Sequence, residues 1–214
     1  MKSIPQLTES IERFQKSFWK KRGTDHPPVG VYSDGSFRPI NYLRKEFGRR
    51  HVYPEDVDAE LAMSDYEYIS SDRRVFSDDW IPFSAAWRAV PWLEAICGCR
   101  VQYAQGSLAP ERCINSVEAL SDAELPASSQ WLDCLRRQTD ELVKSSPADC
   151  WVSPTILRGP SDVIAAMRGL TGFYLDLYDD IRAVSKTAAR VNMLLLDVLD
   201  MHFSRVSPHH GGYG

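Results

Sequence analysis

The sequence has no long apolar run and no block of positive charge. Its most apolar run, at residues 193–196, is four residues long, against about 20 for a bilayer-spanning helix. The opening MKSIPQLTES lacks the apolar stretch of a secretory signal. Lys and Arg number 25 against 29 Asp and Glu, a formal charge of −4, and beyond Lys20-Lys21-Arg22 and Arg49-Arg50 no basic cluster stands out. A nucleic-acid surface needs a Lys/Arg stripe to displace counterions, so neither nucleic acid nor membrane is expected as a partner. Cysteine is scarce and odd in number, five in 214 residues. That fits reduced thiols in a cytoplasmic protein rather than a disulfide framework. Internal repeats, low-complexity tracts and a domain-separating linker are absent. So are GxxxxGK[ST], HExxH, GxSxG and a GxGxxG following a strand.

What is present is organised around residues 150–169, CWVSPTILRGPSDVIAAMRG. This stretch reads as a short strand over 150–156, a turn at Gly159-Pro160, and a helix capped by Ser161 or Asp162 and stopped by Gly169. Strand, turn and helix in that order form half of a βαβ unit, and in parallel α/β folds the loop leaving a strand's C-terminal end is where ligands sit.

Before it, Leu7, Ile11, Phe14 and Phe18 fall on one helical face, with Gly23 as C-cap. A strand over 29–32 exits into Ser33-Asp34-Gly35-Ser36, either a surface turn or a place that presents Asp34 to a ligand. A short helix is expected over 41–47. Pro54 opens another helix with an acidic first turn and Val57, Leu61 and Tyr68 inward. Val75-Phe76 leads into Ser77-Asp78-Asp79-Trp80, where the strand alternation lets only one of Asp78 and Asp79 face a pocket. Residues 87–96 read as a helix with Pro91 near its start, Trp92 in the core, and Cys97-Gly98-Cys99 as small filler at its end. A strand is expected over 100–104, followed by a loop-rich stretch over 107–128 with one helix from Val117. The helix opened by Ser129 turns Leu132, Leu135, Leu142 and Val143 inward and ends at Pro147. After a further helical turn or two at 173–178, Ile181, Val184, Ala188, Val191, Leu195, Val198 and His202 mark six turns of one apolar face. His202 there reads as a core histidine. His209 and His210 precede a Gly-rich stub as a frayed tail or a metal or phosphate contact.

The alternation of helices and strands predicts an α/β fold with a parallel sheet. Three to four parallel strands with outer helices amount to a partial (β/α)8 TIM barrel, since a full one takes about 250 residues. The expectation is a single incomplete domain over 1–214 with an N-terminal helical cap over 1–27 and its C-terminal part missing. An open sheet of this kind would leave edge strands bare, which suggests a homo-oligomer or another chain covering it.

Taken together, PPVGVYSDGSFRP, FSDDW, PWLEAICGC, RGPSDVIAAMRG and FYLDLYDD, in this order, resemble the uroporphyrinogen decarboxylase superfamily of (β/α)8 barrels. The most specific piece is Gly159-Pro160 with Met167 and Gly169, and PWLEAICGC looks closer to the corrinoid- and zinc-dependent methyltransferase branch. The resemblance covers the first half to two thirds of a family member. It implies a decarboxylase or methyltransferase acting on a small-molecule, tetrapyrrole or corrinoid-linked substrate. It places the catalytic aspartate at Asp78, where one carboxylate can accept N–H bonds from several pyrroles. Asp34, Arg38, Asp79, His209 and His210 are the substrate-binding candidates.

The arginines that hold substrate carboxylates in the decarboxylase have no match at residues 33–37, and the tyrosine expected after Gly159-Pro160 is Ala166. Without that clamp a polyanionic porphyrinogen would bury unpaired carboxylates. The methyltransferase branch implies zinc, which activates a thiol, and a corrinoid protein as partner. Its zinc ligands belong to the later part of the barrel, so no cofactor is expected on this chain itself. The alternative to an enzyme is a non-catalytic remnant or assembly partner that pairs its open sheet with another chain.

Overall fold

A computed structural model describes residues 4–21, 27, 29, 51–57, 59, 83–104, 107–117, 129–147 and 150–208. Helix α1 (Ile4–Phe14) runs into a π-helical segment, Gln15–Trp19. Its aromatic side chains cover one another: Phe14 and Phe18 stack at 5.4 Å, and Trp19 meets Phe18 edge-on at 5.0 Å. All three remain exposed. Of the expected strand at 29–32 only Val29 is described, outside any strand, and the helix at 41–47 and the segment at 75–80 lie outside the described residues.

Strand β1 (His51–Val52) is followed by a 3-10 turn, Pro54–Asp56, held by the Tyr53 N–H donating to the Asp56 carboxylate at 2.9 Å. Of the helix expected from Pro54, Pro54–Asp56 forms this 3-10 turn and Ala59 is helical, while residues 60–82 lie outside the described residues. Val57 is extended, with φ −110 and ψ 103, yet buried as expected. After β2 (Phe83–Ser84) comes α2 (Trp92–Ile96), whose five residues are all buried. Pro91 caps it and confines it to 92–96, because the residue before a proline avoids the helical region. Its end explains the Cys-Gly-Cys motif. Gly98 takes φ 96, its N–H donates to the Ala95 carbonyl at 3.0 Å, and the Cys99 N–H reaches back to the Glu94 carbonyl at 2.9 Å. This is a Schellman stop, which needs glycine at the left-handed position and welcomes an apolar residue after it.

Strands β3 (Val101–Ala104) and β4 (Ser107–Pro110) form an antiparallel hairpin registered from Val101↔Pro110 to Ala104↔Ser107. β1 pairs with the other edge of β3, giving the order β1-β3-β4. Residues 107–110, expected as loop, are thus a strand. Pro110 is tolerated because β4 is an edge.

Helix α3 (Ser129–Ser145) buries Trp131, Cys134, Leu135, Gln138, Thr139 and Leu142. Val143, expected inward, is exposed: one residue past Leu142 lies about 100° around the helix, off the stripe. Strand β5 (Trp151–Val152) pairs with β2 in parallel, Phe83↔Trp151 and Ser84↔Val152. The expected strand over 150–156 is cut short at Pro154, which has no N–H to extend the ladder.

Helix α4 (Pro160–Arg168) starts with Pro160 at its first position and Gly159 as N-cap. Ser161 and Asp162, expected as caps, stand exposed inside the first turn. Gly169, at φ 82, ends α4 and begins α5 (Leu170–Asp179). Arg168 crosses this junction to bind Asp176 twice, at 2.7 and 3.3 Å. The guanidinium lies over Gly172, where a Cβ would collide with it. Helix α6 (Ile181–Phe203) is capped by the Asp180 carboxylate, which accepts from the Arg182 and Ala183 N–H groups. Val184, Val191, Val198 and His202 are buried on its inner face, as the spacing predicts, while Ile181 is exposed.

The core lies where α2 packs on α3 and α4, and α4 on α6. Trp92, Ile96, Leu142, Ile164, Met167 and Val191 fill it, with Trp92 edge-on to Trp131 at 5.9 Å. The architecture is α/β, with no closed barrel among the described residues. Where three to four parallel strands were expected, the described strands give one parallel pair and an antiparallel sheet. The physical reason is the connection: two residues between β3 and β4 permit only a hairpin, whereas a parallel return takes a dozen or more. Among the described residues no helix is long and apolar enough to cross a membrane.

Candidate functional site

The parallel pair β2–β5 points its C-terminal ends at residues 85–91 and 153–159, the place where α/β folds gather ligands. Two successive bonds hold the exits together. The Ser153 N–H donates to the Ser84 carbonyl at 2.8 Å, and the Thr155 hydroxyl donates to the Ala86 carbonyl at 3.0 Å. Below them, the Ser84 and Ser146 hydroxyls share a 2.8 Å bond that ties β2 to the end of α3. Gln138 accepts from the Trp87 N–H at 3.1 Å and donates to the Val57 carbonyl at 3.3 Å, so a buried amide fixes the exit of β2.

Two polar features adjoin this exit. Glu94, fully buried on α2, faces Arg158 as an ion pair rather than an aligned hydrogen bond. Burial pushes the Glu94 carboxyl above its ordinary 4.5, while its own backbone N–H and Arg158 pull it back and Asp162 adds to the rise. Arg158 is partly exposed. A guanidinium held from beneath by a buried carboxylate keeps its outer N–H groups turned to solvent, an arrangement suited to a carboxylate or phosphate.

The second feature is a half-open pocket of about 310 Å3 among β5, α3 and α6, lined by Thr139, Val152, Ser153, Thr155, Met201 and His202. Its enclosed part has room for about one water, too little for a substrate of any size. His202 is buried, its Nε2 has no partner, and burial lowers its pKa against the opposing pull of the Val152 backbone. The ring is therefore neutral at pH 7, consistent with its expected role in the core.

Of the residues singled out from the sequence, Asp34, Arg38, Asp78, Asp79, His209 and His210 all lie outside the described residues. What sequence reading missed is Glu94 with Arg158. The signal was a lone carboxylate inside the apolar run PWLEAICGC, which has to find a cationic partner if it is buried. For zinc, the described residues offer no group of three or more His, Cys, Asp or Glu placed to hold a metal ion, so no metal-dependent step is drawn from them.

No family model matches the sequence, and no curated protein matches it. Among solved structures the chain is similar to a methyltransferase from Methanosarcina mazei, at 12% identity and a TM-score of 0.60. The match covers 94% of this chain and 57% of the other, so the chain spans a little over half the length of its structural relative. At that identity the likeness is one of fold: this chain has a methyltransferase-like α/β fold.

Proposed function

We propose that the chain is a methyltransferase-like member of the uroporphyrinogen decarboxylase superfamily, with the fold of part of a (β/α)8 barrel. It binds a small-molecule, tetrapyrrole or corrinoid-linked substrate at the C-terminal ends of its parallel strands. The observation that carries this reading is the fold shared with a methyltransferase over 94% of the chain, joined to the order of the five motifs. In this reading Asp78 is the catalytic carboxylate, and Asp34, Arg38, Asp79, His209 and His210 contact substrate. Arg158, steadied by Glu94, supplies the anion contact that residues 33–37 lack.

The test is binding and turnover of methylcobalamin with a simple thiol as acceptor, followed by the loss of the methyl–cobalt absorbance. Wild type is expected to bind the corrinoid, and Asp78→Asn to lose that binding while keeping its thermal transition. Equal binding by both sinks the assignment of Asp78. Carbon dioxide release from a porphyrinogen, without methyl transfer, would move the reading to the decarboxylase branch.

A second reading, a partner in an assembly, is favoured by the exposed apolar side chains Leu170, Tyr174, Leu175, Tyr178 and Ile181 on α5 and the start of α6. Tyr178 is 91% exposed. Sedimentation separates the readings: a monomer at all concentrations removes self-association.

A further inference from the structure

The β3–β4 hairpin ends in two thiols that the proposed function does not use. Cys99 lies two residues before β3 and Cys113 three residues after β4, and their sulfurs are 3.0 Å apart. The main chain puts them there. The hairpin ladder closes at Val101↔Pro110 and is extended by the Glu111 N–H donating to the Arg100 carbonyl at 2.7 Å. The Cys113 N–H then donates to the Met167 carbonyl at 2.9 Å, which seats the segment on the C-terminal end of α4. Cys99 is fixed from its other side by the Schellman stop at Gly98. Forming a bond of about 2.05 Å would require the sulfurs to approach by about 1 Å.

The two thiols differ in access: Cys113 is exposed and Cys99 is buried. Their hydrogen bond holds the Cys113 thiol below its ordinary pKa and the Cys99 thiol above it. Cys97, two residues from Cys99, is fully buried and burial pushes it up to about 12, so it stays a thiol.

We propose that Cys113 and Cys99 form a reversible redox site, in which Cys113 is the attacking thiol and Cys99 the resolving one, oxidised by a small disulfide such as oxidised glutathione. The Cys113 thiolate attacks one sulfur of the small disulfide, whose S–S bond breaks and releases one glutathione thiolate. Cys99 then gives up its proton and attacks the Cys113 sulfur of the mixed disulfide, which releases the second glutathione thiolate. The two protons lost by the cysteines end on the two glutathione thiols. Two electrons pass from the protein to the small disulfide, and excess thiol reverses both steps. The product is a cross-link at the open end of the hairpin, beside α4.

The experiment incubates the reduced full chain with oxidised glutathione, quenches with acid, alkylates the remaining thiols and maps peptides by mass spectrometry. Wild type is expected to fall from five free thiols to three, with a Cys99–Cys113 link and no retained glutathione. Cys99→Ser should trap glutathione on Cys113, Cys113→Ser should give neither product, and Cys97→Ser should behave as wild type. Cys99→Ala serves if the serine variant does not fold. Wild type that keeps all five thiols, retains glutathione on Cys113, or links Cys97 to Cys113 overturns the proposal.

Discussion

The two sheets are held together by different means. In the antiparallel sheet four consecutive residue pairs of β3 and β4 oppose one another, and the ladder itself carries the pairing. Among the described residues the parallel sheet shows two pairs, between strands 68 residues apart in sequence. There the pairing depends on side chains: the Thr155 and Ser84 hydroxyls, the Gln138 amide, and the ion pair of Glu94 with Arg158. A local hairpin is specified by its turn, whereas a long-range parallel pair has to be pinned by residues scattered along the chain. The candidate site sits on the pinned sheet, so site and pins are the same residues.

The comparison breaks first at Trp92, in the core where α2 packs on α3. Trp92→Ala removes a buried indole whose Nε1 donates to the Trp87 carbonyl at 2.8 Å, and should cost about 3–5 kcal/mol. Thermal unfolding would then show both regions lost in one transition, and a loss confined to one sheet would mean that they fold apart. Thr155→Val acts on the parallel sheet alone. Losing its buried hydroxyl should cost about 1–3 kcal/mol and speed hydrogen exchange at the Ser153 amide, while the amides of 101–104 keep their protection. Equal acceleration in both would contradict the division.

Glu94 gives a pH signature. Its folded pKa is raised above 4.5, chiefly by burial. The folded state therefore holds a proton that the unfolded chain has already released just above 4.5, and stability falls as pH rises through that window. Glu94→Gln lacks this slope. Its Tm relative to wild type should climb as pH rises above about 4.5. A difference that does not change with pH would mean that the carboxyl titrates as in water. The smallest effect is expected on the antiparallel side. His51→Ala removes the partner of Glu111 at 3.2 Å, a part-exposed pair worth about 0.2–1 kcal/mol by denaturant titration.

The helices were legible where one face is apolar over many turns. The spacing of Val184, Val191, Val198 and His202 marked α6, and Gly169 marked the break before α5. The Cys-Gly-Cys filler was also readable, although the Schellman stop that uses it was not. Strand 107–110 escaped because Ser107-Leu108-Ala109-Pro110 has one large apolar residue and ends in proline, with no alternation to detect. Parallel or antiparallel pairing of strands two to four residues long is decided by connection length and distant partners, which local pattern does not encode. Glu94 and Arg158 stand 64 residues apart in sequence and meet only in the fold. The acidic, arginine and histidine residues picked from motifs at 34, 38, 78, 79, 209 and 210 fall outside the described residues, so the fold neither gathers nor separates them here.

The absent side chain at Gly172 makes the α4–α5 joint a matter of permission rather than attraction. Alanine there would by itself favour the helix by about 1 kcal/mol, and its methyl would force the Arg168 guanidinium, the far end of a flexible side chain, to shift beside Asp176. A residue that improves one helix would thus displace the arm that reaches it from the other.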